Sequence, residues 1–341
     1  MAEDEEAWRV PTLVQELAAA GQDQPPSRYV RHESERRPGL AGGTLVGNAA
    51  DMPEPVPVID LRRLLSCAAE GTQEAGNLRS ELQSWGMFLV ANHGIETSLM
   101  DDEMNASREF FHLPLEEKQK CSNLVDGKRF QVEGYGNDQV EPQDERNLAS
   151  WPRHPEHFMD VLLEYTSKSK KIKCIVLRAM ARLLELDDDY FLNQFRNRAP
   201  VTVRINHYLP CPRPDLVLGF KPHSDDGVLA TLLVDILRDG MWYNVPTKPH
   251  ALPINVGDFM EVMSNGMFRS PVHRVVASAA KERISLARFY SLDPEHEIKP
   301  AAGLLRDGQP ALYKEVKTKD YMAGFYQRFA RGTRVIESMK I

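Results

Sequence analysis

Hydrophobic positions first recur with a helical period near the N-terminus. Val10, Leu13, Val14 and Leu17 fall on one face, so residues 11–20 read as a short amphipathic helix opened by proline. Residues 21–53 are rich in Gly, Pro, Ser and Arg and read as an extended connection. From Val56 the pattern tightens. Residues 56–61 predict a short strand, with Asp60 close to a helix start. A helix is expected over 77–84, a buried strand over 86–90 closed by Asn92-His93-Gly94, and a helix over 99–111 that stops near Pro114. Residues 116–120 read as a charged, solvated helical turn. The longest helix runs from about 157 to 186, with Val161, Leu162, Tyr165, Ile172, Ile175, Val176, Ala179, Met180 and Leu183 as one stripe.

The character changes near Ala199. Short β-branched and aromatic segments follow, broken by Pro, Gly, Asp and Asn. They predict strands over 201–208, 228–235, 242–245, 253–255, 273–276 and 283–290. Strands at that spacing suggest an antiparallel sandwich or barrel. The tail from Ala301 is mixed and ends in a helix-like stretch over 321–329. The fold class expected is mixed α/β with an all-β core. The divisions expected are an arm (1–55), an N-terminal region (56–165), the end of the long helix and a connection (166–198), a jelly-roll domain (199–295) and a tail (296–341).

Composition narrows the function. The chain has 341 residues, 42 Lys+Arg against 49 Asp+Glu, and a net charge of −7. A mildly acidic chain is a poor match for a phosphate backbone, so no nucleic-acid partner is expected. No apolar run approaches the ~20 residues that cross a bilayer. The acidic opening lacks the basic and apolar regions of a signal peptide. Cys67, Cys121, Cys174 and Cys211 are widely spaced, which suits four free thiols in a reducing compartment. A cytoplasmic monomer acting on a small molecule is the expectation.

His223-Ser224-Asp225 is the first candidate for chemistry. In extended chain, residues i and i+2 share a side, so an imidazole and a carboxylate would converge. One more His would complete a facial two-His, one-carboxylate set suited to non-haem Fe(II). Alone, the bland reading is the stronger one: a His in a turn, capped by its own Asp. Downstream residues shift the balance. His273 opens a β-branched strand, and Arg283 and Ser285 share one strand face ten residues later. A guanidinium fork beside a hydroxyl suits a carboxylate. Asn206 and Tyr208 form another same-face pair. Singly, each is also ordinary strand polarity or a surface ion pair.

These segments resemble the plant-type 2-oxoglutarate- and Fe(II)-dependent dioxygenase family. The likeness is carried by Pro57-Val58-Ile59-Asp60, Trp85 to Gly94, Asn206-His207-Tyr208-Leu209-Pro210-Cys211-Pro212, His223-Ser224-Asp225, Asn255-Val256-Gly257-Asp258, Arg269 to Arg274 and Glu282-Arg283-Ile284-Ser285. It spans most of residues 56–295. Trp8-Arg9-Val10-Pro11, Ser122 to Gly127 and Pro300 to Leu305 are similar to the subgroup that hydroxylates triketone herbicides. The resemblance implies a double-stranded β-helix, or jelly roll, flanked by N-terminal helices. It implies Fe(II) on His223, Asp225 and His273. It also implies 2-oxoglutarate held at its distal carboxylate by Arg283 and Ser285, with Asn206 and Tyr208 near its chelating end. O2 would be the oxidant and succinate a product. His93 and His207 match no ligand position and read as structural. Phe130, Tyr135 and Phe289 are pocket candidates, with core packing as the equal alternative.

Two departures from the family pattern stand out. A Gly-Gly-Leu-Gln-type segment is expected after the His/Asp strand, but residues 228–238 hold no Gly, Pro or Asn to turn the chain. Two strands therefore read as collapsed into one. A strand-like segment also reads as missing after Val140. On this reading the jelly roll lacks one or two strands. The expected function is hydroxylation of a small hydrophobic molecule. The alternatives are a degenerate, catalytically impaired paralogue that keeps the metal and 2-oxoglutarate residues, and a metal-free binding protein.

Overall fold

The structure is a computed structural model. It describes residues 12–21, 23–31, 46–47, 56–125, 129–131, 133–136, 150–195, 199–231, 234–246, 248–306, 308–330 and 334–341, with backbone alone at 46–47, 129–130 and 326–330. In chain order the strands are β1 (Val46–Gly47), β2 (Val58–Asp60), β3 (Met87–Ala91), β4 (Leu124–Val125), β5 (Arg129–Phe130), β6 (Val201–Tyr208), β7 (Leu218–His223) and β8 (Leu229–Thr231). They continue with β9 (Asp235–Arg238), β10 (Met241–Asn244), β11 (Leu252–Val256), β12 (Val272–Val276), β13 (Arg283–Tyr290), β14 (Glu297–Ile298) and β15 (Val316–Lys317).

Two sheets form the core. One has the order β2-β3-β11-β8-β13-β6 and the other β1-β10-β9-β12-β7. Setting aside the short N-terminal strands β1 to β3, this leaves eight antiparallel strands, four in each sheet, as in a jelly roll. The strand pattern expected over 201–208 and 283–290 matches β6 and β13, which pair along their whole length.

The expected collapse of two strands into one is corrected here. Residues expected as a single strand over 228–235 belong to different sheets: β8 pairs with β11 and β13, while β9 pairs with β10 and β12. Thr231 and Asp235 are four Cα steps apart, with three residues between them. Extended chain spans at most ~3.3–3.6 Å per residue, which covers the roughly 10 Å between packed sheets. No turn residue is needed to change sheets. The next connection is turned at Asp239 (φ 50°) and Gly240 (φ 78°), the two-residue hairpin that Asp-Gly predicts. The segment expected to be missing after Val140 borders residues outside the described ones. Strand β7, expected only as a strand ending near His223, runs from Leu218 to His223.

Helices cover the first sheet. Helix Phe158–Leu183 lays Ile172, Val176 and Met180 into a cluster with Leu229, Ile254, Val256 and Tyr290. Helix Ala69–Ser84 is longer than expected, and Thr97–His112 follows it. Asp60 caps the short helix Leu61–Leu64 by accepting from the amides of Arg62 and Arg63. Gly86 (φ 65°) turns the chain into β3 where a Cβ would lie 2.0 Å from the Arg269 carbonyl. Helix Leu115–Gln119 corrects the expected solvated turn: Lys118 is buried, and its Nζ donates to the Phe111 carbonyl at 2.8 Å. The C-terminal helix is Thr318–Ala330.

Candidate active site

Three side chains meet between β7 and β12. His223 ends β7 and lies opposite His273 in the ladder. Their ring centroids are 4.2 Å apart. Asp225, two residues past β7, places Oδ1 3.3 Å from His273 Nε2 and 3.7 Å from His223 Nε2. One donor atom from each residue lies within 4.8 Å of the others. Asp225 is 3% and His273 0% exposed, while His223 is half-buried at the edge of the cluster.

The tautomers follow from the backbone. His223 Nδ1 lies 2.8 Å from the Lys221 carbonyl, and His273 Nδ1 3.2 Å from that of Pro271. A carbonyl only accepts, so each Nδ1 carries a proton, and a ring that is neutral keeps its lone pair on Nε2. Burial and the His273 charge hold the His223 pKa down to about 3, against the attraction of Asp225. Burial opposes ionisation of both Asp225 and His273. Their mutual attraction wins, lowering Asp225 and raising His273. Asp225 Oδ2 and His273 Nε2 are buried and make no hydrogen bond among the described residues. A buried carboxylate oxygen and an imidazole nitrogen without hydrogen-bond partners together fit a divalent cation, which would take the place of a proton on His273, and the N2O set suits iron.

The second group lies on the other sheet. Arg283 pairs with Tyr208, and Ser285 with Asn206, at one end of the β13–β6 ladder. The Arg283 guanidinium lies over the Tyr208 ring at 5.3 Å, and Asn206 Nδ2 donates to Ser285 Oγ at 3.5 Å. Burial lowers the Arg283 pKa, opposed by Tyr208 and Asp235. Arg283 and Ser285 share a face of β13 with Ala287 and Phe289. Ala287 and Phe289 belong to the inter-sheet cluster with Tyr208, Phe220, Ile236 and Val275. Gly219 on β7 makes room for the Tyr208 ring: a Cβ there would sit 2.8 Å from Tyr208 Cδ1. The guanidinium and hydroxyl thus face the same interior as the His/Asp cluster.

Other candidates are placed elsewhere. Tyr135 joins Phe110, Phe111 and Phe158 in an aromatic cluster with Ile205 and Ile284, on the opposite face of the sheet from Arg283 and Ser285. The structure does not bring it to the His/Asp cluster. The side chain of Phe130 lies outside the described residues. His93 bridges the Ile95 amide and the His250 carbonyl, and His207 bonds Glu282 at 2.8 Å. Neither reaches the cluster.

The sequence reading left Arg334 unremarked. Its Nε donates to Ser224 Oγ at 3.1 Å and its Nη2 to the Ser270 carbonyl at 3.1 Å. These partners lie 110 and 64 residues away along the chain, so no local pattern could have signalled the contact.

Comparisons with known proteins place the chain in one family. Residues 200–292 match the 2OG-Fe(II) oxygenase superfamily, and residues 56–161 match the N-terminal region of a non-haem dioxygenase in morphine synthesis. Codeine O-demethylase of Papaver somniferum is 33% identical, over 96% of this chain and 95% of its own. 2-Oxoglutarate-dependent dioxygenase 11 of Oryza sativa subsp. japonica is 32% identical, over 93% and 91%. Among solved structures, JOX2 in complex with 2OG, Fe and JA superposes with a TM-score of 0.78 at 28% identity, covering 97% of this chain and 98% of that one. The family uses Fe(II), 2-oxoglutarate and O2. The chain belongs to the 2OG-Fe(II) oxygenase superfamily and is a 2-oxoglutarate-dependent dioxygenase.

Proposed function

We propose that the protein hydroxylates a small hydrophobic organic molecule, herbicide-like or a specialised metabolite, while 2-oxoglutarate is decarboxylated to succinate. The observation that carries this reading is the buried convergence of His223, Asp225 and His273, with Asp225 Oδ2 and His273 Nε2 unsatisfied. His223, Asp225 and His273 would hold Fe(II), leaving positions open for cosubstrate and oxygen. When bound, iron with 2-oxoglutarate and O2 supplies the oxidising chemistry. The chain's own residues do the rest. Arg283 and Ser285 take the distal carboxylate through a charge-assisted pair and a hydroxyl. Tyr208 and Asn206 lie toward the other end of the cosubstrate. Phe289, partly buried between the sheets, offers an apolar wall beside the site.

Several relatives act on small molecules by name, among them codeine O-demethylase and a flavonoid 7-O-demethylase of Ocimum basilicum. That supports a compact organic substrate here, and the resemblance to the triketone-herbicide subgroup makes such compounds the first to screen. Of the two missing segments behind the degenerate-paralogue alternative, the first no longer supports it, since β8 and β9 are both present and paired. No helix among the described residues is long and apolar enough to cross a membrane. A cytoplasmic monomer without nucleic-acid partners is the working proposal.

Anaerobic titration with Fe(II) and 2-oxoglutarate tests the reading. A weak visible band from the iron–oxoacid chelate is expected in the wild type and lost in His223→Ala. A cooperatively folded protein with no band overturns it.

A further inference from the structure

Asp225 lies beyond the end of β7, so ladder hydrogen bonds do not fix its position. A second set of contacts does. The backbone N–H of Asp258 donates to the Asp225 carbonyl at 2.8 Å, and Gly257 N–H donates to Val228 at 3.1 Å. Ser224 Oγ donates to Asp258 Oδ2 at 3.0 Å, and the Tyr321 hydroxyl donates to the same oxygen at 2.6 Å. Asp258 is fully buried. Burial pushes its carboxyl up, and Arg334 and Tyr321 oppose that shift.

Arg334 closes this network. It stands 3.5 Å from Asp258 Oδ1 as the cationic partner of a buried carboxylate. The same guanidinium reaches Ser224, between His223 and Asp225, and the Ser270 carbonyl, three residues before His273. One side chain from the C-terminal tail therefore ties together the two segments that deliver the three donor atoms.

We propose that Arg334 is a positioning residue for the metal-binding loop. It acts through Ser224 and Asp258, keeping Asp225 in register with both imidazoles. The inference rests on the reading of His223, Asp225 and His273 as metal ligands. Ligand sets tolerate only about 0.5 Å of misplacement, and loss of an outer partner typically weakens metal binding about 10–100-fold. Removing Arg334 leaves the Asp258 carboxylate buried without its cation and Ser224 and the Ser270 carbonyl without their donor, so the loop must shift.

The test is an anaerobic calorimetric titration with Co(II) on the full chain, beside metal-free melting curves. The proteins are wild type, Asp225→Ala, Arg334→Ala, Arg334→Lys, Ser224→Ala and the Ser224→Ala/Arg334→Ala double variant. Asp225→Ala is expected to lose saturable binding. Arg334→Ala is expected to bind about 10–100-fold more weakly, with Arg334→Lys recovering part of the loss. The double variant should be no weaker than Arg334→Ala, because both changes break one network. Wild-type affinity in Asp225→Ala overturns the ligand reading itself. Lost binding in Asp225→Ala with wild-type affinity in Arg334→Ala overturns the Arg334 inference alone, even if its metal-free Tm falls. Should Arg334→Ala fail to melt cooperatively, Arg334→Lys and Ser224→Ala decide: weaker Co(II) binding supports the inference, and wild-type affinity in both overturns it.

Discussion

His223 and His273 are held in the same way from opposite strands: each ring meets, through Nδ1, the backbone carbonyl two residues before it. The ladder sets the rings opposite each other, tilted by 58°, and the carbonyls set which nitrogen carries the proton. The orientation of both imidazoles is thus built into the backbone.

A metal ion should therefore stabilise the fold, since it binds the native donors and not the unfolded chain. At 100 times its Kd, a divalent ion adds about 2.7 kcal/mol. Thermal melting with and without Mn(II) or Co(II) should show a rise of several degrees in the wild type. His273→Ala should show none, and an equal rise in that variant would place the binding site elsewhere.

Arg283→Ala should weaken 2-oxoglutarate binding by ~1.5–3 kcal/mol, the range for a hydrogen bond to a charged group. Arg283→Lys should restore only part, because an ammonium cannot present two parallel donors. Isothermal titration of the metal-loaded protein checks this. Unchanged affinity in Arg283→Ala would move the carboxylate receptor off β13.

Glu103 and Arg288 form a buried pair at 3.4 Å on the helix-facing side of the first sheet. Burial raises Glu103 to about 7 against the pull of Arg288. The native state holds this proton to higher pH than the unfolded chain does. The contribution is therefore full below the unfolded value of 4.5 and is lost as pH rises through about 7. The span is worth about 3 kcal/mol. Urea unfolding at pH 5 and pH 8 should show the wild type losing stability toward pH 8, with a smaller loss in Glu103→Gln. Asp226, also raised to about 7, leaves a residual slope of the same sign.

Gly257→Ala should be costly. Its new Cβ would meet the Gly227 carbonyl oxygen at 2.0 Å, and both partners are backbone. A loss of about 3 kcal/mol is expected, accompanied by weaker Co(II) binding because Gly227 and Asp258 flank the donor loop. A wild-type Tm in this variant would contradict the close approach.

Local pattern carried the parts of the fold whose determinants are local. Strands β6 and β13 were legible because apolar residues alternate with polar ones, Val201, Val203 and Ile205 in one and Ile284 and Leu286 in the other. The extent of strand β7 was hidden by Gly219, Lys221 and Pro222, which interrupt any alternation. The change of sheet after Thr231 was hidden for the opposite reason: uninterrupted apolar residues read as one strand when nothing marks a turn. Lys118 sits in a run of charges that reads as solvated, yet its ammonium answers a carbonyl near the end of the preceding helix. Phe289 and Tyr135 could not be told apart as pocket or core, because only the register of β13 shows which sheet face each one meets.

The direct passage from Thr231 to Asp235 has a kinetic side. The entropy lost on closing a loop falls by about 0.6 kcal/mol for each halving of its length. With so brief a tether, β8 and β9 are neighbours in the unfolded chain as well. Once β8 finds β11 and β13, β9 is already delivered to the opposite sheet. The two sheets then have little freedom to form apart, and they would appear in a native-state exchange experiment as one cooperative unit.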